Sequence, residues 1–354
     1  MALSEVTSNQ SLRIIDANLN RIGESLRLLE DLARLMLNNA TLAKQLKAMR
    51  HELEVRELPV KKQLLQARNA EGDVGINIEA PEQVEERELP ATVVANTRRV
   101  QQSLRVIEEL AKIPSIKLDP EKFKKARFSL YTIERDLISR LLRKDKLERI
   151  SGLYVIIDAQ FLRGRSHIDV AAQAIEGGAK VIQLRDKTMP KRELLPIALE
   201  LKSLCAENNV LFIVNDHLDI ALAADADGLH LGQDDLPIPV ARRLLPIEKI
   251  IGCSVTTVAQ AITAESEGVD YIAVGAIYPT TSKEAVEVVG LERLCLIRNE
   301  VRLPLVVIGG ITQDNVAEVS AAGANSVAVI SAILEAVSPK EAARQIVDRL
   351  EIQR

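Results

Sequence analysis

The chain of 354 residues holds only three cysteines, Cys205, Cys253 and Cys295, and no C-x-x-C pair. An odd number without metal-ligand spacing argues against a disulfide framework and fits a reducing cytoplasm. No apolar run approaches the roughly 20 residues needed to cross a bilayer. The first residues show no basic start followed by an apolar core, so no signal peptide is expected. Strong charge of either sign is missing too. A net charge of −4 gives no global reason to expect nucleic acid or an acidic membrane as partner. Nor is there a G-x-x-x-x-G-K-[ST] loop, an H-E-x-x-H helix, a nucleophilic cysteine or a Ser-His-Asp order. The expectation is a soluble cytoplasmic protein that handles small molecules, with a homo-oligomer left open.

Such a length makes two domains the default, and the pattern changes character near residue 146. Residues 1–146 read as an all-α domain. Apolar residues recur at helical spacing between about Ile14 and Met36 and again from Val93 to Ile113. The two stretches match. Ala17-Asn18, Arg21, Ser25-Leu26-Arg27, Glu30 and Leu32-Ala33 recur as Ala95-Asn96, Arg99, Ser103-Leu104-Arg105, Glu108 and Leu110-Ala111, 78 residues later (96 − 18). A duplicated helix follows. Asn18, Arg21 and Ser25 share a side with Leu29 and Leu32, and polar groups on an apolar stripe need partners. They form either a buried network between facing helices or an anion or nucleotide site between the copies. Arg27 with Glu30, and Arg105 with Glu108, are expected as surface pairs. Arg68–Gly75, followed by Pro81 and Pro90, reads as a loop. A long helix is predicted from Pro120 to Leu142, with Phe123, Ala126, Leu130, Ile133, Leu137 and Leu141 inward. The charged run Arg143-Lys144-Asp145-Lys146 then reads as a solvated boundary.

Residues 147–354 alternate strand and helix. Eight strands are predicted near Leu153–Ile157, Lys180–Leu184, Val210–Val214, Gly228–Leu231, Lys249–Cys253, Tyr271–Gly275, Leu305–Ile308 and Ser326–Ile330. Eight such units in this length make a compact (β/α)8 TIM barrel, so the fold class is α/β with an added all-α domain.

The strand ends carry the chemistry. After strand 2 stand Gln183, Leu184, Arg185, Asp186 and Lys187. Arg185 and Lys187, two residues apart, project the same way and suit a diphosphate. Asp216 after strand 3 and Asp235 after strand 4 could together hold one Mg2+, with Asp234 as a competitor. His217 and His230 are either catalytic bases or structural. Thr280, Thr281, Ser282 and Lys283 on the loop after strand 6 suit a phosphate and a departing diphosphate. Gly309-Gly310 after strand 7, with Ile330-Ser331 after strand 8, fit the phosphate site of such barrels. One site with two anion pockets and a divalent metal favours a transfer in which diphosphate leaves.

Together these residues resemble the thiamin phosphate synthase family over essentially all of Ser151–Arg354. The matching segments are Gln183–Lys187, Val214-Asn215-Asp216, Gly228–Leu236, Gly252-Cys253-Ser254, Gly275–Lys283, Ile308–Thr312 and Val329-Ile330-Ser331. The resemblance implies that hydroxymethylpyrimidine diphosphate and a carboxylated thiazole phosphate are joined, releasing diphosphate and CO2. It implies that Gln183, Arg185, Lys187, Asn215, Ser254 and Lys283 bind the pyrimidine diphosphate, and that Asp216 and Asp235 hold Mg2+. Thr280, Thr281, Ser282, Gly310, Ile330 and Ser331 would bind the thiazole phosphate. Arg185, Lys187 and Lys283 would stabilise the leaving charge. Ser282 departs from the family, which usually has Thr there. A thiazole tautomerase on the same barrel would need no diphosphate pocket, and the intact Gln183-x-Arg185-x-Lys187 argues against it. The first half resembles a helical domain fused to such synthases and associated with making the pyrimidine diphosphate from its monophosphate. The motifs from Asn18 to Glu30 and from Asn96 to Glu108 carry that likeness. A structural, regulatory or dimerising module is the alternative.

Overall fold

A computed structural model describes residues 2–55, 57–69, 88–280 and 287–351. They divide into two compact units, Met1–Leu142 and Arg143–Arg354. Gly72, Gly75 and Pro81 of the expected loop lie outside the described residues. Pro90 does not belong to that loop. It stands in the first turn of a helix, where its missing N–H leaves no bond unmade.

The first unit holds α1 (Ala2–Asp31), a π-helical turn (Leu32–Met36), α2 (Ala40–Leu53), α3 (Leu58–Ala67), α4 (Leu89–Leu110) and, as far as Leu142, α5 (Pro120–Arg149), whose last residues belong to the second unit. Helices α1 and α4, the two copies of the repeat, pack on each other. Ile15, Ile22, Leu26 and Leu29 of α1 are buried, as are their counterparts Val93, Val100, Leu104 and Ile107 of α4. Each such side chain stabilises the unit by about 1.5–3 kcal/mol.

The repeat reaches further than one helix. Glu30 accepts from Nε and Nη2 of Arg50 on α2, at 3.1 and 3.0 Å. Glu108 accepts from the same two atoms of Arg127 on α5, at 3.2 and 3.1 Å. Arg127 stands 77 residues after Arg50 (127 − 50), and the same offset relates buried Leu46 to Phe123 and Leu53 to Leu130. The duplicated element is therefore a helix pair, its second copy joined by one residue less. Glu30 and Glu108 are thus not the surface partners expected from their spacing. Both are buried, and a carboxylate on a buried stripe needs a cation from the facing helix. Arg27 turns instead to Asp31 at 3.4 Å, while Arg105 does reach Glu108 at 2.7 Å.

The second unit is a closed parallel barrel with strands in the order β1 to β8. They are β1 (Gly152–Asp158), β2 (Val181–Arg185), β3 (Leu211–Asn215), β4 (Gly228–Leu231), β5 (Ile250–Val255), β6 (Tyr271–Val274), β7 (Leu305–Ile308) and β8 (Ser326–Val329). Their near-continuous apolar runs reflect burial on both faces, one toward the axis and one toward the helices. The helices around them are α6 (His167–Glu176), α7 (Lys191–Glu207), α8 (Leu218–Ala223), α9 (Ile238–Leu244), α10 (Val258–Glu267), α11 (Gly290–Glu300), α12 (Val316–Ala321), α13 (Ser331–Leu334) and α14 (Pro339–Glu351). Local signals agree with the topology. Thr257 and Gln260 form a capping box at the start of α10, and Gly268 ends it in the left-handed region.

The charged run Arg143–Lys146 is helical rather than a solvated linker, forming part of the end of α5. Arg143 is buried and pairs with Asp270 at 2.9 Å, also donating from Nη1 to the Ile247 carbonyl at 2.9 Å. Lys146 donates to the Glu248 carbonyl at 2.8 Å. Buried Asp270 and the carbonyls of Ile247 and Glu248 give these charges partners that sequence spacing does not reveal.

Candidate active site

Strand register assembles the site. Asp158 pairs in register with Arg185, and Ile156 with Gln183. Alternation therefore turns Gln183 and Arg185 to the barrel axis. Gln183, Arg185, Asn215 and Ser254 line one small inner cavity of about 50 Å³ with Tyr154 and His230. Above it opens a cavity of about 540 Å³, lined by Lys187, Asp235, Thr280, Gly310, Ile330 and Ser331 among others. Ser254 lines both.

Two residues of the strand-2 cluster turn elsewhere. Leu184 is fully buried in the barrel wall and lines neither cavity. Asp186 accepts at Oδ1 from the N–H groups of Thr188 and Met189, each at 2.8 Å, and so shapes the loop. Thr281, Ser282 and Lys283 lie outside the described residues.

The electrostatics centre on three groups. Lys187, exposed at the rim, sits 3.9 Å from Asp216. Burial first, and then the neighbouring Asp235 carboxylate, push the Asp216 carboxyl up to about 6. Asp216 also holds a left-handed backbone (φ 59°). Asp235 accepts from the Gly232 N–H at 2.7 Å, and a Cβ at Gly232 would crowd that carboxylate. Asp234 is exposed and lines the larger cavity as well, but the side chain that interacts with Asp216 is that of Asp235. Two neighbouring carboxylates, from the ends of separate strands, suit a hard dication such as Mg2+.

Opposite, Gly309 and Gly310 both have positive φ, 101° and 65°. A Cβ on Gly310 would meet the Pro279 carbonyl oxygen at 2.5 Å and Tyr278 Cβ at 2.8 Å. The loop after β7 packs against the loop after β6 only because no side chain intervenes. Thr280, Gly310, Ile330 and Ser331 meet there, with Ser331 opening α13.

Sequence reading missed the polar interior beneath. Gln183 Nε2 donates to the Tyr154 hydroxyl at 3.0 Å, which lies 3.1 Å from the Tyr271 hydroxyl. His230 Nδ1 is 3.0 Å from Tyr271, and its Nε2 is 2.9 Å from Ser254 Oγ. A chain of hydrogen bonds thus links Gln183 to Ser254, holding two cavity-lining groups in place. Asp158, which pairs with Arg185, was missed as well. An acid at the end of a strand was the available signal. His217 Nε2 lies 3.3 Å from the Asp186 carbonyl oxygen.

A family model described as thiamine monophosphate synthase matches residues 153–333. A thiamine-phosphate synthase of Nostoc punctiforme is 37% identical over 96% of this chain and 93% of its own length. The chain belongs to the thiamine-phosphate synthase family. It is an enzyme of that family, a transferase. The family's Synechocystis sp. member is 38% identical over 96% of both chains. The member from Methanospirillum hungatei is 50% identical over 56% of this chain and 96% of its own. A solved thiamine phosphate pyrophosphorylase from Pyrococcus furiosus is 40% identical, with a TM-score of 0.54, covering 58% of this chain and 98% of that one. The helical unit has its own match, to the ThiD2 family over residues 13–136. No described helix is long and apolar enough to cross a membrane.

Proposed function

We propose that the barrel joins hydroxymethylpyrimidine diphosphate to a (carboxy)thiazole phosphate and releases diphosphate, with Mg2+ held by Asp216 and Asp235. The observation that carries this reading is one cavity lined by Lys187 and Asp235, both with Asp216 as a neighbour, and by the Gly309-Gly310 turn and Ser331. Among the described residues no third His, Cys, Asp or Glu joins that acid pair, which leaves the other ligand positions to diphosphate and water. When bound, the metal neutralises charge on the departing diphosphate.

The residues act around that charge. The bond between the pyrimidine methylene carbon and the diphosphate oxygen breaks, and its electron pair leaves with diphosphate. The thiazole nitrogen then donates its lone pair to the methylene carbon, forming the new C–N bond; with the carboxylated substrate the ring-to-carboxylate C–C bond then breaks, releasing CO2, and the ring carbon keeps the electron pair and takes a proton from water. Arg185 and Lys187 stabilise the leaving anion electrostatically, with Lys283 assigned the same role by family likeness. Gln183, Asn215 and Ser254 orient the pyrimidine, while the Gly310 N–H and Ser331 hold the thiazole phosphate.

The helical unit, on this reading, phosphorylates hydroxymethylpyrimidine phosphate and so supplies the barrel. Its match to a separate family and its presence along nearly the whole length of the cyanobacterial relatives support an activity of its own. A purely structural module is the competing reading. The deciding experiment gives the full chain hydroxymethylpyrimidine phosphate, ATP, Mg2+ and carboxythiazole phosphate, with thiamin phosphate read by mass spectrometry. Product means that both units are enzymes. Product only when the pyrimidine diphosphate is supplied leaves a synthase with a non-catalytic helical unit. Product in neither case overturns both assignments.

A further inference from the structure

The face where the duplicated helices meet carries a cleft of its own. Asn18, Arg21 and Glu24 of α1 and Arg99, Gln102 and Ser103 of α4 line an open cleft of about 490 Å³. That volume lies within the range of small-molecule sites. Part of the lining follows the repeat: Arg21 matches Arg99 and Glu24 matches Gln102, while Asn18 and Ser103 match Asn96 and Ser25 outside the lining. Two guanidinium groups therefore approach one cleft from related positions.

Their pairing is what sets them apart. Arg50, Arg68 and Arg127 in this unit each bond a carboxylate. Arg21 makes no hydrogen bond or ion pair among the described residues, and Arg99 meets only the Asn96 side-chain oxygen, at 3.2 Å. The asparagines are fixed in the same way, Asn18 Nδ2 on the Ile14 carbonyl at 2.8 Å and Asn96 Nδ2 on the Thr92 carbonyl at 2.9 Å. Both are buried, Asn18 lining the cleft with the two exposed cations and Asn96 bonded to Arg99. Duplicated arginines presenting planar donors to one cleft match a tetrahedral dianion.

One position breaks the symmetry. Glu24 is acidic where its counterpart Gln102 is neutral, and Glu24 also borders a second cavity of about 680 Å³ on the other side, among α1, α2 and α3. A ligand with a phosphate at one end and hydrogen-bond donors at the other would bind in one orientation, its donors toward Glu24.

We infer that the cleft between α1 and α4 binds a phosphate monoester of a donor-bearing ring, its phosphate clamped by Arg21 and Arg99. The inference deepens the kinase reading of the helical unit and takes its ligand class from there. Hydrogen–deuterium exchange on the full chain, titrated with hydroxymethylpyrimidine phosphate, tests it. Local readout on α1 and α4 separates this cleft from the phosphate sites of the barrel. Protection of residues 17–29 and 95–107 is expected, and Arg21→Ala or Arg99→Ala should weaken it at least about 10-fold, as loss of a charge-assisted clamp implies. Synthase turnover from the supplied diphosphate should stay unchanged in both variants. Glu24→Gln should retain phosphate binding.

No protection, or protection that survives both arginine variants, overturns the site. So does a change of oligomeric state in the arginine variants without any ligand protection, which would make the cleft an interface. The kinase assay separates the two ideas. Arginine-dependent protection without pyrimidine diphosphate formation keeps the site and removes the kinase. Diphosphate formation that ignores both variants keeps the kinase and removes the site.

Discussion

Asp158 and Arg185 face each other across the β1–β2 seam, paired in register at the ends of both strands and bonded side chain to side chain. Both are buried, so the carboxylate aligns a guanidinium that would otherwise stand uncompensated in the wall.

Asp158→Asn is expected to keep the barrel folded but loosen Arg185. The KM for pyrimidine diphosphate should rise about 10-fold or more, with stability lower by roughly 1–3 kcal/mol. Steady-state kinetics beside urea melts would check this, and an unchanged KM would free Arg185 of any need for its partner.

Lys187→Ala and Asp216→Ala should each reduce synthase kcat by about 10²–10³ or more, since charge on the leaving group loses its stabilisation. Neither side chain belongs to the apolar core, so circular dichroism should stay native. Native spectra with normal turnover would take that residue out of the site.

Asp216→Asn should stabilise the metal-free protein while removing activity. The folded-state value near 6 lies above the ordinary carboxylate value of about 3.9. The folded chain therefore binds more protons here, and stability falls as pH rises from about 4 to about 6. Asparagine removes the repulsion with Asp235 and tolerates the left-handed backbone at this position. In EDTA at pH 7 the variant should gain about 1–2 kcal/mol and lose that part of the pH dependence. Thermal melts across pH 4–8 decide it.

Gly310→Ala should damage both the loop and the phosphate pocket. It adds a Cβ against Tyr278 and Pro279 at a backbone that disfavours side chains. A loss of roughly 1–3 kcal/mol in stability should come with a raised KM for the thiazole phosphate more than for the pyrimidine diphosphate. Equal effects on both substrates would contradict the division into two pockets.

The eight strands were legible because a parallel barrel buries both faces, leaving runs such as Leu211–Val214 that stand out without any partner being known. The duplication was legible in α1 and α4, where polar identities survive beside apolar ones. In α2 and α5 it was hidden, since only Arg50 and Arg127 and a few apolar positions match, at an offset shifted by one. Tyr154 and Tyr271 read as ordinary strand residues, because nothing local tells an inward polar side chain from a strand's other face. The charged run after Leu142 misled for a similar reason: its partners, Asp270 and the carbonyls of Ile247 and Glu248, come from distant segments.

Sequence alone determined the helical and barrel halves, the repeat, and which strand ends carry ionisable groups, since these follow from periodicity and from residue type at a boundary. Tertiary structure decided which of those groups meet. It set Asp235 rather than Asp234 against Asp216, turned Leu184 and Asp186 away from the cavities, and brought Arg21 and Arg99 to one cleft. Closure of the barrel and packing of the duplicated helices set those distances, and neither is a property of any local stretch of chain.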